Sequence, residues 1–332
     1  MAKLKDIRGT NIQSIDGDPS NPIIGQIWYN SIAKVLKGQV LVDASWATGG
    51  SLGTARYGAA GFGSEPAAVG CFGYGPTYSV ATEEYNGSSW TAGNNGNTTR
   101  YQVYGCGVLT AGIVCGGSID SSERNNTEEY DGTNWTSGGS YPNAQRKTSL
   151  AGTQTATLGA GGQKPTPGSP GVLYYDTHNT YDGSSWTSAT ALPGTRGSAK
   201  GIGVQTAALV VGGNLGPTAG TVTNTVLEWD GSSWTSGGNL PTTSASMGGG
   251  GSQTAAIAYG GPSGVSAFLY DGSSWSTTAD QSLGGDNTAG SASTTGTDGA
   301  LSFLRRLGPA ANKTATEEFS LGGSTTVSID VD

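Results

Sequence analysis

Charge is scarce in this chain: Asp, Glu, Lys and Arg make up 12% of it, about half the roughly 25% of an average protein. What charge there is leans acidic, at −8. Lys and Arg nowhere cluster, which excludes a nucleic-acid backbone as partner. Histidine occurs once, at His178. That count rules out His-based metal clusters and leaves a single imidazole for any catalytic triad. Three cysteines, Cys71, Cys106 and Cys115, cannot all pair and lack a metal-binding spacing. They sit in or beside small apolar runs and read as buried free thiols. No apolar run approaches the roughly 18 residues of a membrane span. The segment Met1 to Ile7 carries early positive charge with no apolar stretch behind it, so no secretory signal is expected. These shortages leave no cofactor, no metal, no nucleic acid and no membrane insertion to expect.

Glycine and a repeated aromatic phrase are what the chain has in quantity. Glycine supplies 58 of 332 residues without a Gly-X-Y period, which excludes collagen. The phrase is an aromatic residue, Asp-Gly or Asn-Gly, two small polar residues and a Trp, as in Tyr130-Asp131-Gly132-Thr133-Asn134-Trp135. It ends at Trp90, Trp135, Trp186, Trp234 and Trp275. Asn-Gly and Asp-Gly between β-formers predict hairpins with type I′ turns. Glycine pairs then close small-apolar runs at Gly117, Gly162, Gly213 and Gly261, each 27 residues beyond the preceding Trp. The same interval carried back from Gly73 reaches Trp46. From each pair to the next Trp the distance varies between 14 and 24 residues. One half of the repeat is fixed in length, and the other holds the insertions.

Strand-rich units of this size fit propeller blades, which leave only short protected sheet edges. We expect an all-β, six-bladed β-propeller with four-stranded blades over residues 39–320, an extension at 1–38 and a polar, acidic tail at 321–332. Thr316-Glu317-Glu318-Phe319 matches Thr127-Glu128-Glu129-Tyr130, yet no Trp follows it. The strand Val40 to Trp46 has a Trp and no partner, so it is expected to complete the last blade. The Gly-Gly pair after an apolar strand, then Tyr-Asp, then Trp, resembles the kelch-repeat β-propellers, with a shorter Tyr-to-Trp interval than the usual kelch pattern.

The extension reads differently. Pro19-Ser20-Asn21-Pro22, then Gly25-Gln26-Ile27-Trp28-Tyr29-Asn30, then Val35-Leu36-Lys37 resembles a segment at the front of phage virion proteins, tail-associated ones in particular. That resemblance implies a virion location, with residues 1–38 attaching the chain to other virion proteins. It leaves homo-oligomerisation open.

Catalytic signals are poor. His178 falls at the end of the longest variable loop, near Tyr174 and Tyr175. Glu83-Glu84, Glu128-Glu129 and Glu317-Glu318 are neighbours on strands and point to opposite faces, so they cannot work as facing acid–base pairs. Asp16-Gly17-Asp18 offers too few oxygen ligands for a calcium loop. Arg56, Arg100, Arg146 and Arg196 stand 10, 10, 11 and 10 residues after their Trp. In a ring they would surround one rim of the channel, either pairing with neighbouring blades or forming an anion-binding mouth. The candidate ligand-binding set is therefore Arg56, Arg100, Arg146, Arg196, Tyr174, Tyr175 and His178, on a side where loops rich in Ser, Thr and Asn vary in length. The expected role is a non-enzymatic tail or appendage component that binds host surface glycan or protein. The alternatives are a purely architectural virion protein and a propeller glycosidase or lyase.

Overall fold

The Asp-Gly phrase does close a hairpin, though not the two-residue one its dipeptide predicts. In the computed structural model Tyr85 pairs with Trp90, Tyr130 with Trp135 and Tyr181 with Trp186, so four residues form each loop. Only the glycine takes positive φ, for example Gly132 at 92°. The aspartate stays on the ordinary side because its carboxylate has other work. Asp182 Oδ1 accepts from Ser184 N at 2.9 Å and Ser185 N at 2.8 Å, and Asp230 and Asp271 repeat the pattern. This is a side-chain turn cap. The four amide and hydroxyl donors hold Asp182 down at about 2.

Residues 12–120, 122–166, 171–216, 221–261, 264–283, 289–292, 299–303, 306–307, 311–312 and 314–329 are described. The Met1 to Ile7 segment and parts of the variable loops, among them Arg305 and Lys313, lie outside them. All regular elements among the described residues are strands, and they divide into two units.

The larger unit, Trp46–Ser320, holds six antiparallel four-stranded sheets among the described residues. The sheet Lys200–Val204, Ala207–Val211, Val226–Trp229, Trp234–Ser236 is typical. Each Trp strand is thus the fourth strand of the sheet before it. The 27-residue interval is the crossing from one sheet's last strand to the next sheet's first two. The strand that pairs with Thr316–Ser320 is Ser45–Gly49. It starts later than the expected Val40, because Val35–Val42 belongs to a different sheet.

First strands are edge strands, and they lie side by side in sequence order. Ala60–Ser64 neighbours Tyr104–Val108, followed by Ser149–Thr153, Lys200–Val204, Gly248–Gly251 and Ala289–Ala292, which neighbours Ala60–Ser64. A run of backbone hydrogen bonds ties the approaches to these strands together. Gln102 N donates to Gly58 O (2.6 Å), Lys147 N to Gln102 O (2.9 Å), Ser198 N to Lys147 O (3.3 Å) and Ser246 N to Ser198 O (2.7 Å). Every residue in this run is left-handed, with φ between 53° and 61°. The shared conformation aims one amide and one carbonyl sideways at the neighbouring sheets.

The core lies between sheets. Phe62 and Val69 of one sheet pack with Val114, Tyr130 and Trp135 of the next, and Ile202 and Leu209 pack with Ala258, Phe268 and Trp275. A methyl at Gly112 would overlap the Phe62 ring, so a residue with no Cβ lets the sheets approach. The repeated Trp has two jobs. Its ring lies on the Tyr across the hairpin, 5.0 Å between centroids for Tyr85 and Trp90. Its indole N–H reaches the third strand of the preceding sheet, from Trp90 to Thr316 Oγ1 (2.8 Å), Trp135 to Thr82 Oγ1 (2.9 Å) and Trp186 to Thr127 Oγ1 (2.9 Å).

The smaller unit, Met1–Ser45 with Leu321–Asp332, joins the expected extension and tail in one sheet. Gln13–Ile15, Ile27–Asn30, Val35–Val42 and Gly323–Ile329 pair in that order, the first pair parallel. The Trp28-Tyr29-Asn30 motif has a local explanation. Residues two apart on a strand share a face, and Trp28 Nε1 and Asn30 Nδ2 both donate to Asp18 Oδ1, at 3.1 and 2.7 Å. Lys37 Nζ adds a 2.7 Å ion pair and is the main cause holding the Asp18 carboxyl below its ordinary range.

Candidate ligand-binding surface

The repeated arginines are not a rim. Arg56 and Arg100 are fully buried. Arg56 pairs with Glu83 at 2.7 Å. Arg100 pairs with Glu128, donates to Gly116 O and Asn126 O, and lies over the Phe72 ring at 5.2 Å. Arg196 donates to Gly212 O, Thr225 O and Thr225 Oγ1, and burial lowers it to about 10. Arg100 and Arg196 saturate carbonyls around a glycine-pair turn, while Arg56 donates to Gly70 O within the strand Ala67–Cys71, scaffold tasks in which a planar fork of donors serves well. The third sheet fills the same slot with Gln145, whose Nε2 donates to Gly161 O at 2.6 Å. Arg146, at the odd spacing of 11, is out of register with the set.

His178 is also part of the scaffold. It opens the strand His178–Tyr181 instead of ending a loop, and it is 1% exposed. There it replaces the threonine that receives the indole N–H in other sheets. Its ring meets Trp229 and Trp234 edge-on, at 4.6 and 5.3 Å. Trp234 Nε1 therefore donates to Thr190 O (3.0 Å), the same carbonyl that His178 Nδ1 contacts at 3.0 Å. Burial lowers its pKa. The glutamate pairs split between faces as expected: Glu83 turns to Arg56, and Glu84 accepts from Tyr130 Oη.

Arg146 occupies the position next to the buried slot, equivalent to Tyr57, Tyr101 and Gly197. Each of these makes an isolated bridge to the residue after a glycine turn. These bridge positions and the second-to-third-strand loops share one end of the sheets. There Tyr57, Tyr74, Tyr78 and Tyr101 form a half-buried aromatic cluster. Ring centroids are 4.9 Å apart for Tyr74 and Tyr78, 5.3 Å for Tyr78 and Tyr101, and 5.8 Å for Tyr57 and Tyr74. The Tyr78 hydroxyl accepts from Asp120 N at 3.0 Å, fastening one loop to the next. A cavity of about 210 Å³ lies beside it, lined by Thr54, Thr77, Tyr78, Ser79, Val80 and Asn95 among others.

Farther along the same end, Arg146 Nη1 stands 3.7 Å from Glu123 Oε1. Burial raises the Glu123 pKa. Tyr174, 5% exposed, pairs with Gln163 in a two-stranded ribbon. Lys164 Nζ stands 5.9 Å from the Tyr175 ring centroid. Of the residues expected to bind ligand, Arg146, Tyr174 and Tyr175 lie at the loop end, and Arg56 lies beneath the cavity beside the tyrosines as one of its lining residues, while Arg100, Arg196 and His178 serve the core. Sequence reasoning missed the four-tyrosine cluster, although Tyr57 and Tyr101 directly follow the arginines it singled out. Among the described residues no group of three or more His, Cys, Asp or Glu is placed to hold a metal.

No protein-family model matches the chain, and no curated protein matches it. Among solved structures it is similar to that of YjhT, with a TM-score of 0.64 and 13% identity over 83% of this chain and 99% of that one. At that identity the likeness carries the propeller-like, all-β fold alone.

Proposed function

We propose that this chain is a non-enzymatic phage virion component, a kelch-like six-bladed propeller whose loop end binds host surface saccharide and whose smaller unit attaches it to a tail or appendage. The tyrosine cluster carries the reading. Tyrosine presents a rigid apolar face with a polar tip. Four such rings, edge to face or tilted, beside a small cavity of mixed apolar and polar lining, suit the C–H faces and hydroxyls of a sugar ring.

The order of the sheets supports six blades, and side chains support ring closure. Tyr85 Oη donates to Glu318, as Tyr130 does to Glu84 and Tyr181 to Glu129. The first sheet thus contacts the last in the way the second, third and fifth sheets contact their predecessors. Attachment through the smaller unit is supported by its surface. Eight of the eleven exposed large apolar side chains among the described residues fall between Ile12 and Val42, Ile23 at 69% and Ile32 at 73% among them. Such concentration marks interaction surfaces.

The test is binding of the purified chain to arrayed bacterial surface polysaccharides, with Tyr78→Ala and Tyr101→Ala alongside. Loss of a stacked aromatic costs about 2 kcal/mol at a binding hot spot, so binding should weaken roughly 30-fold while each variant stays folded at the assay temperature. Full binding by both variants removes the tyrosine cluster from the site. Presence in purified virions without saccharide binding favours the architectural role, and absence from virions ends the virion reading.

A further inference from the structure

The strand Gly323–Ile329 pairs on one side with Val35–Val42, and among the described residues no strand pairs with its other side. At seven residues this edge is longer than the strands of three to five residues that end the sheets of the larger unit. No charge and no proline fall between Gly322 and Ile329, so the usual blocks to edge-to-edge pairing are missing. The neighbouring strand fixes where the main-chain groups point. Gln39 N donates to Gln26 O at 2.9 Å, and Gln39 O accepts from Gly25 N at 2.8 Å, so both groups of Gln39 face away from Gly323–Ile329. Gln39 stands opposite Thr326, and residues facing each other in an antiparallel pair turn their groups either both inward or both outward. Thr326 therefore turns its N–H and C=O to the open edge, and alternation adds those of Ser324 and Ser328.

The strand also complements itself. Set antiparallel to a second copy with Thr326 facing Thr326, it brings Ser324 opposite Ser328, Thr325 opposite the isosteric Val327, and Gly323 opposite Ile329. Facing threonines are a favourable cross-strand pair. In this register the outward groups at 324, 326 and 328 meet in about six main-chain hydrogen bonds, two at each facing pair. No like charges are brought together, although the whole chain carries −8. Apolar surface is covered as well. Val42, 44% exposed, pairs with Gly323, so the second copy's Ile329 falls in the same cross-strand rank with only a glycine between them.

We propose that the chain forms a two-fold dimer in which the Gly323–Ile329 strands of two copies pair antiparallel about Thr326, joining two four-stranded sheets into one. The two-fold makes the contact isologous, so it closes on itself at two copies. The dimer stands whether or not the chain belongs to a virion. Ile23, Ile24 and Ile32 lie outside the paired strands and stay exposed for attachment.

The experiment is sedimentation of the full chain over a concentration series, with Thr326→Pro, Thr326→Cys and Ser328→Cys alongside. Proline suits an edge position whose N–H faces outward, so Thr326→Pro keeps the pairing with Val35–Val42 and spoils the seam between copies. The expected result is twice the chain mass for the wild type and dimerisation weakened at least about tenfold in Thr326→Pro. On mild oxidation Thr326→Cys should form a disulfide-linked dimer, since facing residues of a hydrogen-bonded pair lie about 5.5 Å apart between Cα atoms. Ser328→Cys, whose two copies stand roughly 14 Å apart, should behave as the wild type does. A wild type that stays monomeric at high micromolar concentration, its edge taken by another protein or by residues 1–11 of the same chain, overturns the proposal. So does a dimer that survives Thr326→Pro, or cross-linking of both cysteine variants or of neither. Should Thr326→Pro fail to fold, Thr326→Lys sets two like charges face to face, and a dimer that persists there overturns the register equally.

Discussion

The Arg100–Glu128 pair offers a quantitative test, because other sheets of the same chain supply natural controls. Replacing Arg100 by Gln reproduces Gln145, which donates to the equivalent carbonyl. The fold therefore tolerates Gln in that slot. What Arg100→Gln cannot reproduce is the partner: the third sheet has Asn179 where the second has Glu128. Glu128 is 1% exposed, and beyond Arg100 it keeps one amide donor, Asn97 N at 2.7 Å. Breaking a buried ion pair from one side costs about 3–5 kcal/mol. The converse change, Glu128→Asn, leaves Arg100 bonded to Gly116 O and Asn126 O, the situation of Arg196, and should cost roughly 1–2 kcal/mol, in the range of a lost charged hydrogen bond. The double variant restores the neutral pairing of the third sheet. It should be more stable than Arg100→Gln alone by about 1 kcal/mol, which with the cost of Glu128→Asn makes a coupling of roughly 2–3 kcal/mol, the size contacting residues show. Calorimetry reads this directly. In a chain of 332 residues, at about 2.1 cal/mol/K of unfolding entropy per residue, each kcal/mol moves the midpoint by roughly 1.4 °C, so Arg100→Gln should fall by about 4–7 °C. A double variant no better than Arg100→Gln, or an Arg100→Gln midpoint within 2 °C of the wild type, would refute the assignment of Gln145 and Asn179 as the neutral counterpart.

Three further outcomes follow from other parts of the fold. Gln102 holds φ at 54°, which costs a side-chain-bearing residue roughly 1–2 kcal/mol. Gln102→Gly should therefore raise stability by about 0.5–1 kcal/mol in a urea titration, and a decrease would mean the side chain contributes more than its strain. The Asp182 carboxyl is held at about 2, below its ordinary 3.8, so its capping is complete above the ordinary value and is lost as pH falls through about 2. Asp182→Asn, which copies the natural Asn86 cap, should flatten the acid limb of the stability profile over that window; an unchanged slope would rule the cap out as a contributor. Phe62→Ala removes a ring that packs between two sheets and should cost about 3–5 kcal/mol, measured by chemical denaturation. A loss under 1 kcal/mol would show that the sheets close over the gap.

The sheets were legible because aromatic packing between them demands a Trp and a Tyr at fixed places, whereas the turn residues misled in detail. Asp-Gly suggested a two-residue loop, but the carboxylate cap needs two more amides and lengthens it to four. The Val35–Val42 strand shows a second limit. Its β-formers announce a strand without naming a partner, and the choice between Phe319's sheet and the polar Gly323–Ile329 tail is made by pairing across nearly the whole chain. The arginines were found by regular spacing, and the irregular one, Arg146, marked the register slip. Spacing alone could not say that the set faces inward. Tyr57, Tyr74, Tyr78 and Tyr101 were illegible as a group because two come from crossings between sheets and two from one variable loop.

The left-handed run Gly58, Gln102, Lys147, Ser198 and Ser246 uses main-chain atoms alone to fasten one sheet to its neighbour. A seam of that kind asks for a left-handed backbone but for no particular side-chain chemistry, and five positions doing one task carry four different residue types. Neighbouring repeats can differ in composition without loosening the joint, which leaves the adjacent loop positions, Tyr101, Arg146 and Gly197 among them, free to carry different side chains.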